Sequence, residues 1–219
     1  MREGGPIGRL LRFVFFAVVV RAVVLLALGL TVRNRDRLPA CGPAVLAANH
    51  NSHLDTLALI SLLPLSLLDH VRPVAAADYF GRPGVMGWFA TTIIGIIPVE
   101  RGSGKEGGNP LAACEEALDR GDILIIFPEG SRGEPEALAS FKKGIGHLAK
   151  ARPKVPVVPV FMHGLGKALP KGSALLVPFN ARVSVGEPLY GQPSHEAFVA
   201  ELEARMTALA AEERLPVWE

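Results

Sequence analysis

His50 and Asp55 lie in the stretch Asn49-His50-Asn51-Ser52-His53-Leu54-Asp55-Thr56. An imidazole beside a carboxylate is the simplest proton-moving device available to a protein. The apolar run before it, Ala44-Val45-Leu46-Ala47-Ala48, has the size of a buried strand. After it, Leu57, Leu59, Ile60, Leu62 and Leu63 form a helical apolar face. Ser52 suits a helix N-cap, which puts His50 in the turn and Asp55 in the first helical turn. Inside one regular helix, positions five apart are rotated by roughly 140° and point apart, at about 100° per residue. From the turn, the His50 ring instead folds back over the helix N-terminus towards Asp55. A carboxylate on one ring nitrogen fixes the tautomer and leaves the other able to take a proton. The same residues have a purely structural reading, because Ser52-x-x-Asp55 is also a capping box. His53 would sit on the wrong helical face for Asp55. His70, His147, His163 and His195 have no acidic partner at a comparable spacing, and are expected as surface or hydrogen-bonded core residues.

Further along, two segments bring an arginine to the end of a candidate strand: Gly95-Ile96-Ile97-Pro98-Val99-Glu100-Arg101 and Phe127-Pro128-Glu129-Gly130-Ser131-Arg132. A guanidinium is a planar fork of donors that matches phosphate, and such charge-assisted bonds are worth roughly 1.5–3 kcal/mol each. Two forks beside the His50/Asp55 pair would hold a phosphate and present a neighbouring hydroxyl to the base. Taken singly, each arginine also reads as a solvated surface charge. Gly130 is expected to supply a positive backbone angle. Lys142 and Lys143 face either an anionic group or solvent at a helix start.

These groups need elements to position them. Candidate strands are Ala44 to Ala48, Arg72 to Ala76, Ile96 to Val99, Ile123 to Phe127, Val155 to Phe161 and Ala181 to Val185. Candidate helices are Asp55 to Leu63, Gly84 to Thr92, Pro110 to Arg120, Lys142 to Ala151 and about Ser194 to Glu213. This alternation predicts an α/β fold: a single domain with a mostly parallel, buried central sheet flanked by helices. Ligands of such sheets bind beyond the carboxyl ends of the strands, which is where His50, Arg101 and Glu129 fall.

The chain has 219 residues, of which 49% are hydrophobic, and the apolar excess is concentrated at one end. Phe13 to Val32 is an apolar run of twenty residues broken only by Arg21. As a helix it would be about 30 Å long, the thickness of a hydrocarbon core. Arg2, Arg9 and Arg12 precede the run and Arg33, Arg35 and Arg37 follow it, so the flanking charge does not choose between a span and an interfacial helix. Residues 1–34 are therefore expected as an N-terminal hydrophobic, membrane-anchoring helical segment, and 35–219 as the catalytic domain. A net charge of +2 is too small to argue for nucleic acid. Cys41 and Cys114 show no metal-ligand spacing and read as free thiols in a reducing compartment. Gly102, Gly104 and Gly107 match a dinucleotide-binding pattern, but Asn109 and Pro110 look like the start of the following helix. The glycines then precede that helix and do not open it, which argues against a bound dinucleotide. A Gly-x-Ser-x-Gly nucleophile elbow is absent from the sequence, which argues against a serine hydrolase of the α/β type.

Taken together, four blocks in order resemble the glycerolipid acyltransferase family, the 1-acyl-glycerol-3-phosphate acyltransferases and their relatives. They are Asn49-His50-x-Ser52-x-x-Asp55, Gly95 to Arg101, Phe127 to Arg132, and Val155-Pro156-Val157-Val158-Pro159-Val160, and the resemblance covers roughly Arg35 to Leu189. Ser131 stands where Thr is also common in that family, a departure that keeps the hydroxyl. The resemblance implies catalytic roles for His50 and Asp55 and acceptor binding by Arg101, Glu129, Gly130, Ser131 and Arg132, with no metal and no cofactor. It implies transfer of a fatty acyl group from acyl-CoA or acyl-carrier protein to the hydroxyl of a lysophospholipid. Lysophosphatidic acid, giving phosphatidic acid in phospholipid biosynthesis, is the first expectation, at the cytoplasmic face of the cell membrane. Another lysolipid acceptor, in phospholipid remodelling or as an amino-acid lipid, is the alternative within the family. A non-catalytic protein that binds lipid at the membrane surface is the alternative outside it.

Overall fold

The computed structural model describes residues 5–27, 29–52, 54–77, 84–100, 109–133, 138–168 and 180–213. Its centre is a sheet of strands β1 (Thr31–Arg33), β2 (Ala44–Ala48), β3 (Val71–Ala76), β4 (Ile97–Val99), β5 (Ile123–Ile126), β6 (Val157–His163) and β7 (Arg182–Val185). Their spatial order is β1-β7-β6-β2-β5-β3-β4, and every neighbouring pair is parallel except β6 with β7. The antiparallel pair makes the sheet mixed, with the parallel part holding the middle and one edge.

Around it are α1 (Gly5–Val14), α2 (Arg21–Ala27), α3 (Leu54–Leu62), α4 (Val85–Trp88), α5 (Ala112–Asp119), α6 (Gly144–Ala151), α7 (Leu165–Ala168) and α8 (His195–Glu212). π-helical turns at Phe15–Val20 and Phe89–Ile94 continue α1 and α4. The central strands are covered on both faces, which is why they read as unbroken apolar runs. On β2, Ala44, Leu46 and Ala48 enter one core cluster, and Val45 and Ala47 enter the other. The first cluster includes residues of the N-terminal helix and α3; the second includes residues of α5, α6 and α8. Ser194 caps α8 by accepting from Ala197 N at 3.0 Å. β1 and α7 have no counterpart among the expected elements, being too short for a periodic signal.

One expectation is corrected. Among the described residues no helix is long and apolar enough to cross a membrane, so the N-terminal run is not the anchoring helix its hydropathy suggested. Phe16, Val20 and Val24 are instead buried in the core cluster beneath one face of the sheet. Hydropathy alone cannot separate a helix that belongs to a protein core from one that belongs to lipid, because both bury apolar side chains. The chain then passes through Gly29, at φ 45°, into β1, which pairs with β7 and so belongs to the same sheet.

Candidate active site

Strand pairing brings distant parts of the sequence together. β2 and β5 are parallel neighbours in the register Ala47↔Ile126, so the chain leaves both strands at the same edge. The turn after β2 carries His50, and the turn after β5 carries Phe127 to Arg132. The start of the first turn is fixed by Asn49, whose amide donates to Met162 O at 2.9 Å and accepts from Met162 N at 2.7 Å. A buried side chain thus extends the β2–β6 ladder by one more pair, which removes play from the residue before His50.

His50 Nδ1 lies 2.9 Å from Asp55 Oδ2. The same oxygen accepts from the backbone N–H groups of Asn51 at 2.6 Å and Ser52 at 2.8 Å. The functional and the capping readings of the sequence therefore coincide: one carboxylate oxygen closes the start of α3 and holds the imidazole. Asp55 is buried, 1% exposed, and its Oδ1 has no hydrogen-bond partner among the described residues. With Asp55 accepting a hydrogen bond from Nδ1–H, the lone pair falls on Nε2. One face of the imidazole is stacked on Phe127, with ring centroids 4.1 Å apart and 18° between planes.

The Phe127 to Gly133 turn grips the His50 backbone as well. Glu129 Oε1 accepts from His50 N at 3.2 Å, and Gly133 N donates to His50 O at 2.9 Å. Gly130 has φ 75°, in the left-handed region, and Gly130 N closes the turn on Phe127 O at 3.0 Å. Lys142 lies over this glycine: a Cβ there would stand 3.3 Å from Lys142 Cγ. Glu129 is 2% exposed, and burial raises its carboxyl above the ordinary value of 4.5 against the smaller opposing pull of the His50 and Ala139 N–H groups.

Glu129 therefore supports the turn from behind, and its expected variants follow. The folded protein binds the Glu129 proton more tightly than the unfolded chain, so this residue's contribution to stability falls as pH rises from 4.5 through the raised value. Glu129→Gln removes that loss and keeps an oxygen for His50 N. Denaturation across this range should find the variant gaining on the wild type as pH increases, with turnover retained within about tenfold. A variant that loses relative stability with rising pH would refute the burial argument.

His50 lines a cleft of about 610 Å³, within the usual range for small-molecule sites. Its walls are largely apolar, with Leu57, Val74, Phe89, Ile94 and Val99 among them, and its polar groups include Thr56, Glu100, Ser131 and Arg132. Of the residues singled out from the sequence, His50, Gly130, Ser131 and Arg132 share this cleft, and Asp55 and Glu129 stand behind it. Arg101 lies outside the described residues, as do the glycines at 102, 104 and 107; Glu100, next to Arg101, lines the cleft. Asn49 and Phe127 gain positioning roles that no spacing rule assigned, although a polar residue ending a buried strand was a usable signal for Asn49. Two other histidines are paired away from the cleft: His70 with Asp122 at 3.2 Å and His195 with Glu196 at 2.8 Å.

Residues 29–163 match the sequence model of a family described as acyltransferase. A chloroplastic 1-acyl-sn-glycerol-3-phosphate acyltransferase of Arabidopsis thaliana is 34% identical over 164 residues, covering 74% of this chain and 44% of that protein. The mouse 1-acyl-sn-glycerol-3-phosphate acyltransferase alpha is 29% identical over 148 residues, covering 66% of this chain and 49% of that protein. The chain spans about half the length of the curated relatives it matches. The fold is that of a crystal structure of the 1-acyl-sn-glycerophosphate acyltransferase PlsC from Thermotoga maritima. The TM-score is 0.72 at 21% identity, over 95% of this chain and 81% of that one. With more than half of its length inside the family match, and the strand-end turns that hold His50 and Glu129 within it, the chain belongs to the acyltransferase family.

Proposed function

We propose that this protein transfers a fatty acyl group from an acyl thioester to the free hydroxyl of lysophosphatidic acid, giving phosphatidic acid. The observation that carries the reading is the His50–Asp55 pair at 2.9 Å, with its imidazole on an apolar cleft that also contains Arg132. His50 Nε2 accepts the proton of the acceptor hydroxyl while that oxygen attacks the thioester carbonyl carbon. Asp55 stabilises the imidazolium that forms. When the tetrahedral intermediate collapses, the C–S bond breaks and the imidazolium returns the proton to the departing thiolate. A thioester is already activated, so no enzyme-bound acyl group is needed. The apolar walls receive the acyl chain, and Arg132, together with Arg101, holds the phosphate.

Family membership supports association with a membrane, where both lipid substrates reside. The exposed side chains of Val85, Met86 and Trp88, with Met86 also lining the cleft, would let the acyl chains pass between bilayer and site. Two free cysteines, Cys41 and Cys114, suit the cytoplasmic face. The acyl donor is acyl-CoA or acyl-carrier protein.

Thiol release from acyl-CoA, dependent on added lysophosphatidic acid, tests the reaction; no release would refute it. Arg132→Ala tests the acceptor. Loss of one charge-assisted bond should raise KM for lysophosphatidic acid about 10- to 100-fold. A neutral monoacylglycerol should be affected far less. Equal effects on both acceptors would remove the phosphate-binding role.

A further inference from the structure

Arg12 is a charged side chain, 3% exposed, on α1, whose other arginine, Arg9, is exposed. Its Nη2 donates to Val71 O at 2.8 Å, and its Cζ stands 5.9 Å from the Phe16 ring centroid. Its Nε is buried with no hydrogen-bond partner among the described residues. Burial, and then the neighbouring Arg72, lowers its pKa to about 10, so it remains charged at neutral pH. Keeping a guanidinium buried at this cost calls for a role that an apolar side chain could not fill.

Its two main neighbours indicate that role. Val71 is the first residue of β3, whose Pro73, Val74, Ala75 and Ala76 line the cleft. Gly95, at φ 79°, ends the π-helical turn that brings Phe89, Ala90 and Ile94 to the same cleft. A Cβ on Gly95 would overlap Arg12 Nη1, so the guanidinium is packed directly against this backbone. One turn earlier, a Cβ on Gly8 would stand 2.8 Å from Thr92 Cγ2, so α1 also packs closely against that turn. Arg12 thus meets the roots of two segments that form the apolar wall. A bond to one and van der Waals contact with the other fixes their separation.

We propose that Arg12 is a positioning residue: by tying the root of β3 to the Gly95 turn, it sets the width of the cleft and so the acyl chain the enzyme accepts. The inference rests on the acyl-transfer reading above. It gives the N-terminal helix a part in selecting substrate.

The test uses the full chain in mixed micelles, with lysophosphatidic acid and acyl-CoA donors of increasing chain length. Arg12→Met keeps the volume and loses the bond. Gly95→Ala pushes a methyl group into the guanidinium. Arg12→Lys keeps the charge and a donor for Val71 O. One methylene in an apolar pocket is worth about tenfold or more in discrimination. Arg12→Met and Gly95→Ala should each change the long-to-short ratio of kcat/KM by about that factor, with KM for lysophosphatidic acid within about twofold. Arg12→Lys should fall closer to wild type, and the Met/Ala double variant should shift less than the two single shifts combined, because the residues are in contact. Activity lost in equal proportion across all donors, or an unchanged donor profile in Arg12→Met and Gly95→Ala, would overturn the proposal. Absence of thiol release from the wild type with every donor would instead overturn the acyl-transfer reading, and the inference with it.

Discussion

His50→Ala should reduce turnover by about 10²–10⁴, the usual contribution of a positioned general base, and leave the fold nearly intact. The two halves of that result have separate causes. The rate falls because His50 is the ring that Asp55 orients, at 2.9 Å, on the wall of the cleft. Stability should change by only about 1 kcal/mol, the typical net worth of one hydrogen bond, because the rest of the turn keeps its bonds. Asp55 Oδ2 still accepts from Asn51 and Ser52, and Asn49 still bridges to Met162. The stack on Phe127 is lost, but the side chain is 20% exposed and leaves no sealed void. Steady-state turnover with lysophosphatidic acid and acyl-CoA, beside a thermal melt of the same preparation, measures both. Undiminished turnover would remove His50 from the chemistry. A collapsed melt would mean that its role is structural.

How far the sequence foretold this arrangement depends on the range of the physics involved. The His50–Asp55 pair was legible because it is local: a strand end, a cap and a helix start fix the geometry within six residues. The parallel sheet was legible from buried runs such as Ala44 to Ala48, and Gly130 from the backbone angle its turn requires. The Glu129 bond to His50 was not, because it depends on β2 lying beside β5, a pairing between residues 79 apart. Periodicity assigns strands but not their neighbours. The N-terminal helix was misread for a related reason. Hydropathy marked Arg21 as the one charge in the apolar run, yet Arg21 is only partly buried, whereas Arg12, on the flank, is 3% exposed. The antiparallel placement of β7 against β6 left no local mark either, since a strand buried on both faces reads alike in either direction.

Asp55 should behave differently from His50, and comparing its two replacements separates its two duties. Asp55→Ala leaves three donors without their acceptor: His50 Nδ1–H and the backbone N–H groups of Asn51 and Ser52. A lost cap costs about 0.5–2 kcal/mol and each stranded buried donor about 1–3 kcal/mol, so a loss of roughly 2–5 kcal/mol is expected. In a domain of this size that is a fall of about 5–15 °C in Tm. Turnover should fall into the same range as His50→Ala, because an imidazole without its carboxylate has neither a fixed tautomer nor a partner for its cationic form. The double variant should be no slower than the worse single one, since the two groups act as a unit. Asp55→Asn keeps an oxygen for the N–H groups but removes the charge. Its melting temperature should return most of the way to wild type while its turnover stays low. Recovery of both together would mean that the carboxylate only caps the helix; recovery of stability alone assigns it to the chemistry as well.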